Sequence, residues 1–240
     1  MNQSGIKLFF SRLKTAKYIR KDFLSNLNDG QQTAVAKRVY AKKSAADRVL
    51  ERQERLLQAG LQLFATQGYA HTTIEALCSE AKVTTRHFYQ CFNGREALLV
   101  AVYDQMIEEL QIGLLAAIQA EHQTIQEKIQ QIIQALVTHY LTDTRRAQVG
   151  VLEVVGASPA VEQRRREVIH GIVDYVQLFL NKLMQEKQLP ERNYYWLAVA
   201  MVGGINEMMA EWLMNPCITL EELVQEIINT INFMAGHQGN

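Results

Sequence analysis

The side chains with chemistry to offer gather in one stretch of this 240-residue chain, between Thr72 and Arg95. Two threonines, Thr72 and Thr73, precede a short apolar run, and a polar run of Thr84, Thr85, Arg86 and His87 precedes the aromatics Phe88, Tyr89 and Phe92. Hydroxyl, guanidinium and imidazole groups here stand at helix starts, where unpaired backbone N–H groups also point outward. That is chemistry for recognising an anionic, hydrogen-bonding partner. No nucleophile with a base beside it, no glycine-rich phosphate loop and no metal-ligand pair stands out, and the six histidines are dispersed. An enzyme would have no visible constellation to work with, so no catalytic residue, metal or cofactor is expected.

The elements that must position these groups are short and sharply bounded. Leu56, Leu57, Leu61, Leu63 and Phe64, with the small spacers Ala59, Gly60 and Ala65, form a stripe of helical period. It stops at Gly68, suited to the left-handed position after a helix, and Tyr69 can pack back over the last turn. Thr72 and Glu75 have the spacing of a capping box for a helix from about Thr73 to Glu80 that buries Ile74, Leu77 and Cys78. Thr84 can cap a third helix ending near Gln90. Residues 93–96 break the pattern and open a longer helix. The middle pair has the proportions of a helix-turn-helix, which lays its second helix in the DNA major groove. Leu61, Phe64, Ile74, Leu77, Phe88 and Phe92 are assigned to its small core.

The run TTIEALCSEAKVTTRHFYQCFNGREALLVAVYD resembles the DNA-binding domain of the TetR/AcrR family of bacterial transcriptional repressors. The likeness is continuous from about Arg55 to Asp104. It includes Phe64, Gly68 and Tyr69 at the end of the first helix, the double threonine, the F-Y-x-x-F ending and a basic residue followed by E-x-L. It implies that Tyr89 and Arg95 contact phosphates and that Thr73 offers its N–H and hydroxyl to another. Thr84, Thr85, Arg86 and His87 would face the bases, with Arg86 the candidate for direct readout, because a guanidinium can bond both acceptors of guanine. The duller readings are a partly buried Tyr89, a solvated Arg95 and an Arg86 that meets only backbone. The family usually has glycine where this chain has Lys82. Either the turn differs in shape, or the chain tolerates a non-glycine residue at positive φ and gains a cation near the duplex.

Formal charge sums to zero but is divided. Residues 1–100 hold 16 Lys+Arg against 8 Asp+Glu, and residues 101–240 hold 9 against 17. A basic half joined to an acidic half suggests that the first meets a polyanion. Cys78, Cys91 and Cys217 are too scattered for a disulfide framework or a zinc site, which points to a reducing cytoplasm. No apolar run approaches the roughly 18 residues of a membrane span.

About fifty residues precede the first helix of the resemblance. Within them, Ile6, Phe9, Leu13, Ala16, Ile19, Phe23 and Leu27 fall on one face of an expected helix over 6–27, with Lys7, Lys14 and Lys21 elsewhere. Four readings are open: packing on the protein or its dimer mate, added phosphate contacts, an anionic membrane surface, or a start codon further along. Packing with auxiliary phosphate contacts is favoured, and membrane contact is not.

Beyond Arg95 the chain reads as helices to about 120 and over roughly 122–141, 145–155, 160–187, 191–214 and 219–235, with Ser158 as a cap and Pro159 in a first turn. This part looks like the family's ligand-binding and dimerisation domain. Met106, Leu110, Leu114, Tyr140, Tyr175, Phe179 and Met201 are candidate pocket walls, and Glu153 and Asn206 candidate polar anchors; the bland alternative is ordinary packing, with Glu153 paired to Arg145 or Arg146. Arg164, Arg165 and Arg166 read as a solvated face. Val202-Gly203-Gly204-Ile205 would admit another helix, and Ile227, Ile228, Ile231 and Met234 form an apolar stripe.

The expected fold class is all-α: a basic extension over 1–45, a three-helix helix-turn-helix domain over 46–100 and a helical bundle over 101–240. The expected function is a cytoplasmic, homodimeric regulator, most simply a repressor, that binds an inverted-repeat double-stranded DNA operator and is released by a small, largely apolar effector. The alternative is a membrane-surface or protein-interaction module acting through the amphipathic N-terminus.

Overall fold

The computed structural model describes residues 45–119 and 124–235, and all its regular elements there are helical. The expected extension therefore lies outside the described residues, apart from Ala45. Helix α1 (Ala45–Gln67), α2 (Ile74–Ala81) and α3 (Thr85–Cys91) form a head. Helix α4 (Arg95–Gln119) leads from the head into a bundle of α5 (Ile125–Leu141), a short α6 (Thr144–Ala147), a π-helical segment (Gln148–Glu153), α7 (Pro159–Gln185), α8 (Tyr195–Met214) and α9 (Leu220–Ala235).

The head forms because its few large apolar side chains converge. Leu56, Phe64, Leu77 and Phe88 are fully buried, and Leu61 and Phe92 close the core. Ile74 is half-buried at its edge. Gly68 ends α1 at φ +80°, and the Tyr69 ring meets Phe64 edge-on at 5.6 Å, as the sequence anticipates.

The start of α2 differs from expectation by one residue. Thr73, not Thr72, is the cap, and its hydroxyl accepts the Ala76 N–H at 3.1 Å. Thr72 is buried, and its hydroxyl donates to the Gly68 carbonyl at 2.8 Å, tying off the end of α1. A helix-final carbonyl inside the head needs a donor more than the next helix needs a second cap. At the turn, Lys82 adopts the left-handed conformation (φ 53°, ψ 48°), so the backbone that glycine ordinarily supplies is kept with lysine in its place.

The bundle begins its helices as read. Thr124 and Glu127 form a capping box on α5, and Ser158 caps α7 with Pro159 in the first turn. Ile227, Ile228 and Ile231 are buried within their own bundle. Gly204 serves the same packing, since a Cβ there would lie 3.9 Å from the Met234 methyl. Large apolar side chains left outside on α8 and α9 are Trp196 and Phe233, both 75% exposed, and Met214 at the end of α8.

Candidate nucleic-acid interface and ligand cavity

Helix α3 is short, and its buried Phe88 holds it against the head while its first turn faces outward. Thr84, Thr85 and Arg86 are exposed and His87 is half-buried. Thr84 caps the helix by accepting the His87 N–H at 3.3 Å, and its hydroxyl lies 3.0 Å from His87 Nδ1. The Arg86 guanidinium makes no hydrogen bond or ion pair with the described residues. Its donors are therefore left unengaged by the described residues.

Tyr89 is 55% exposed, which removes the reading of it as a core aromatic. Lys82, in the turn that leads into α3, is also exposed. Arg95 is not a solvated residue. Its Nη1 donates to the carbonyls of Tyr69 at 3.1 Å and Ala70 at 3.4 Å and also to that of Thr72, and its guanidinium lies 5.2 Å from the Tyr69 ring centroid. It staples the start of α4 to the segment between α1 and α2. The sequence gives no sign of this, because Arg95 and its acceptors are more than twenty positions apart.

The bundle encloses a cavity of about 200 Å³. Leu110, Leu114, Tyr140, Tyr175, Phe179, Met201 and Asn206 line it, so seven of the nine expected residues come together. Met106 stands just behind the wall: a Cβ on Gly150, which does line the cavity, would lie 2.9 Å from its methyl and 2.7 Å from Tyr140 Cε1. The close approach of the π-helical segment thus requires glycine at 150.

Glu153 does not belong to the cavity. Its Oε2 accepts the Tyr69 N–H at 2.8 Å, and its Oε1 accepts from Gln148 Nε2 at 3.2 Å. The π-helical segment therefore has a cavity side, Gly150 and Val151, and a head side, Glu153. One turn earlier, Arg145 Nη1 donates to Gln62 Oε1 on α1 at 2.8 Å, while its other nitrogens bond Asp143.

Sequence reasoning missed Tyr103 and Arg165, which also line the cavity. Burial pushes the Tyr103 and Tyr140 phenols well up and that of Tyr175 up to about 12, so all three stay neutral donors. Arg165 pairs with Glu162 through Nε at 3.0 Å and Nη2 at 2.8 Å, and hydrogen bonding to Arg165 is the main cause holding the Glu162 carboxyl down at about 2. Arg164 is buried, with its Nε 2.6 Å from Asp104 Oδ1 on α4. Only Arg166 of the triplet keeps to a solvated face.

Residues 56–102 match the model of the bacterial regulatory proteins of the tetR family. The fatty acid metabolism regulator protein of Bacillus subtilis (strain 168) is 23% identical over 165 residues, covering 67% of this chain and 82% of that protein. The HTH-type transcriptional regulator AcrR of Shigella flexneri is 24% identical over 174 residues, covering 69% and 80%. Among solved structures, the transcriptional regulator FadR from Bacillus subtilis in complex with stearoyl-CoA has a TM-score of 0.67 at 19% identity, covering 78% of this chain and 99% of that one. The fatty acid degradation regulator FadR from Bacillus halodurans also gives 0.67 at 19% identity, covering 79% and 96%. Residues 56–102, with their outward-facing second helix of a helix-turn-helix, thus match the DNA-binding part of the tetR-family bacterial regulatory proteins, and the helical fold as a whole is similar to that of solved regulators of this kind.

Proposed function

We propose that this protein is a homodimeric repressor that leaves its operator when a long, largely apolar acyl group occupies the bundle cavity. The observation that carries the DNA half is the exposure of Thr85 and Arg86 on a helix held from behind by Phe88. In this reading Arg86 reads bases, while Tyr89, Lys82 and the start of α2 at Thr73 meet phosphates. Thr84 and His87 flank the base-reading pair and orient it. Arg95 acts behind this surface, holding the turn that presents Thr73. The head comprises 46–100 and the effector and dimer functions 101–240, with α4 running unbroken across the boundary.

Support for the acyl class comes from the cavity walls, which are aliphatic and aromatic apart from Arg165, Asn206 and the three phenols, and from the likeness to a protein that holds stearoyl-CoA. A cavity of about 200 Å³ is below the roughly 300–1,000 Å³ of sites that enclose drug-sized ligands. Entry of a long chain must therefore move its walls, Gly150 and Val151 among them. That movement would shift α4 and the π-helical segment, and with them the separation of the two heads on DNA. Exposed Trp196 and Phe233 supply apolar surface for the mate.

The test is retardation of DNA from the upstream region of the protein's own gene, with long-chain acyl-CoA, short-chain acyl-CoA and free coenzyme A as additions. Specific retardation relieved by the long-chain form alone is expected. Failure to retard any DNA at low salt would sink the DNA reading. Retardation untouched by every acyl form would sink the effector reading alone.

A further inference from the structure

A groove of about 940 Å³ runs along the outside of the head between α1, the end of α3 and α4, separate from the bundle cavity. Its floor is apolar: Leu50, Leu57, Val100 and Ala101 line it, and Leu50 is 53% exposed. Its remaining lining includes the carboxylates of Asp47, Glu51, Glu54 and Glu108, with no lysine or arginine, whereas Asp104 at its edge is buried and engaged by Arg164. One turn of helical spacing separates Asp47, Leu50 or Glu51 and Glu54 on α1, so the groove follows the face along which α1 begins.

The chain that leads into this face has the opposite character. Residues 1–44 hold ten Lys+Arg against two Asp+Glu, whereas residues 45–100 hold six of each. The positive balance of the N-terminal half thus comes from the first 44 residues, and the head itself is neutral. Within that stretch, the apolar positions from Ile6 to Leu27 recur at helical spacing, with lysines between them.

We propose that residues 6–27 of the same chain dock as an amphipathic helix in this groove, apolar face on Leu50, Leu57, Val100 and Ala101, basic flanks against the carboxylate rim. Length permits it. A 22-residue helix spans about 33 Å, comparable with the 23-residue α1. The 17 residues from 28 to 44 reach about 55 Å if extended, ample to return the helix along α1 from its first turn. Charge selects it, since an acidic rim around an apolar floor matches a basic amphipathic segment and repels an acidic one. The docked segment would also bring cations beside Tyr89 and Asn93, which line the end of the groove nearest α3. A neutral head would gain there the charge that phosphate binding draws on.

Cys91 lines the groove, while Cys217, exposed on the loop after α8, does not, which makes labelling of these two thiols in the full chain a direct test. A groove occupied about 90% of the time slows labelling of Cys91 about tenfold against its undocked rate. Full-length protein carrying Phe9→Glu with Leu13→Glu should therefore label at Cys91 about tenfold faster than the parent, with Cys217 unchanged. Leu50→Glu, on an already exposed position, should act in the same direction without threatening the fold, and far-UV circular dichroism on each variant checks that the head is intact. A Cys91 rate that neither variant moves overturns the proposal. So does protection lost on dilution, which would assign the groove to a second copy. An unmoved Cys91 rate with loss of flotation on phosphatidylserine-containing vesicles would assign the segment to membranes instead.

Discussion

In the head, the polar groups face outward and a handful of apolar side chains hold them in place; in the bundle, polar groups are turned inward. Arg86 and Tyr89 are exposed on a helix anchored by one fully buried phenylalanine. In the bundle, Arg164 is buried against Asp104, Tyr140 lies at the cavity wall, and His139 Nε2 is buried with no hydrogen-bond partner among the described residues. The difference teaches where each part keeps its sensitivity. A rigid scaffold presenting exposed groups loses recognition when one is removed but keeps its fold. A bundle with desolvated polar groups around a cavity loses stability instead, because a buried charge such as Asp104 is left without compensation when its partner is removed.

The largest expected effect follows from the ion pair between α4 and α7. Arg164→Ala leaves Asp104 desolvated and unpaired, a loss of about 3–5 kcal/mol. Urea unfolding should show it as a fall in midpoint, and Arg164→Met with Asp104→Leu should recover most of it. A single variant as stable as the parent would mean that this bundle tolerates a buried carboxylate as an exposed one.

Next comes acid sensitivity. Burial is the chief cause holding the His139 imidazole down at about 4, with Arg146 adding to it. An unfolded histidine titrates near 6.5, so the unfolded chain gains a proton first as pH falls. The neutral ring's contribution is present above about pH 6.5 and is lost as pH drops towards 4. It reaches at most about 3 kcal/mol, less the screening of a partly exposed ring. Stability measured from pH 7 to 4 should fall less steeply in His139→Gln. An equal slope in both proteins would break the link between burial and acid sensitivity.

In the head the effects move from stability to recognition. Arg86→Ala should leave the unfolding midpoint unchanged while removing about 1–3 kcal/mol of discrimination between operator and altered sites. Tyr89→Phe should weaken specific and random DNA alike, since a phosphate contact carries no sequence information. A uniform loss from Arg86→Ala would move Arg86 to the backbone-contact group.

How much of this was legible in the sequence depends on the range of each interaction. Helix caps, the Gly68 stop and the core of the head are set by neighbours within a few positions, so Thr84 and Phe88 were read correctly. Thr72 was misread because two adjacent threonines offer the same hydroxyl, and a tertiary demand at the end of α1 decides between them. Six cavity residues were legible as large apolar or aromatic positions on helices, and Asn206 as a polar residue within an apolar one. The arginine triplet was not, because successive residues turn about 100° around a helix and so face different environments. Glu153 and Tyr69 are 84 positions apart, and nothing local to either announces the bond.

That bond carries the smallest and most informative prediction. The π-helical segment touches the cavity through Gly150 and Val151 and the head through Glu153, so a ligand that displaces one side pulls on the other. A hydrogen bond from a backbone N–H to a carboxylate is charge-assisted and directional, which suits it to passing on a displacement. Removing it in Glu153→Ala should leave operator affinity without effector near the parent's value, because Glu153 bonds neither Arg86 nor Tyr89 and Arg95 still holds the carbonyl of Tyr69. Effector affinity for the free protein should also hold, since Glu153 is outside the cavity. What should fall is the coupling between the two, by about 0.5–2 kcal/mol, read as the ratio of effector affinities for free and DNA-bound protein. The reciprocal ratio, operator affinity with and without effector, must fall by the same factor if the cycle closes. If both affinities drop and the ratio stays constant, Glu153 is a structural brace, and the division between a recognising head and a sensing bundle is bridged by α4 alone.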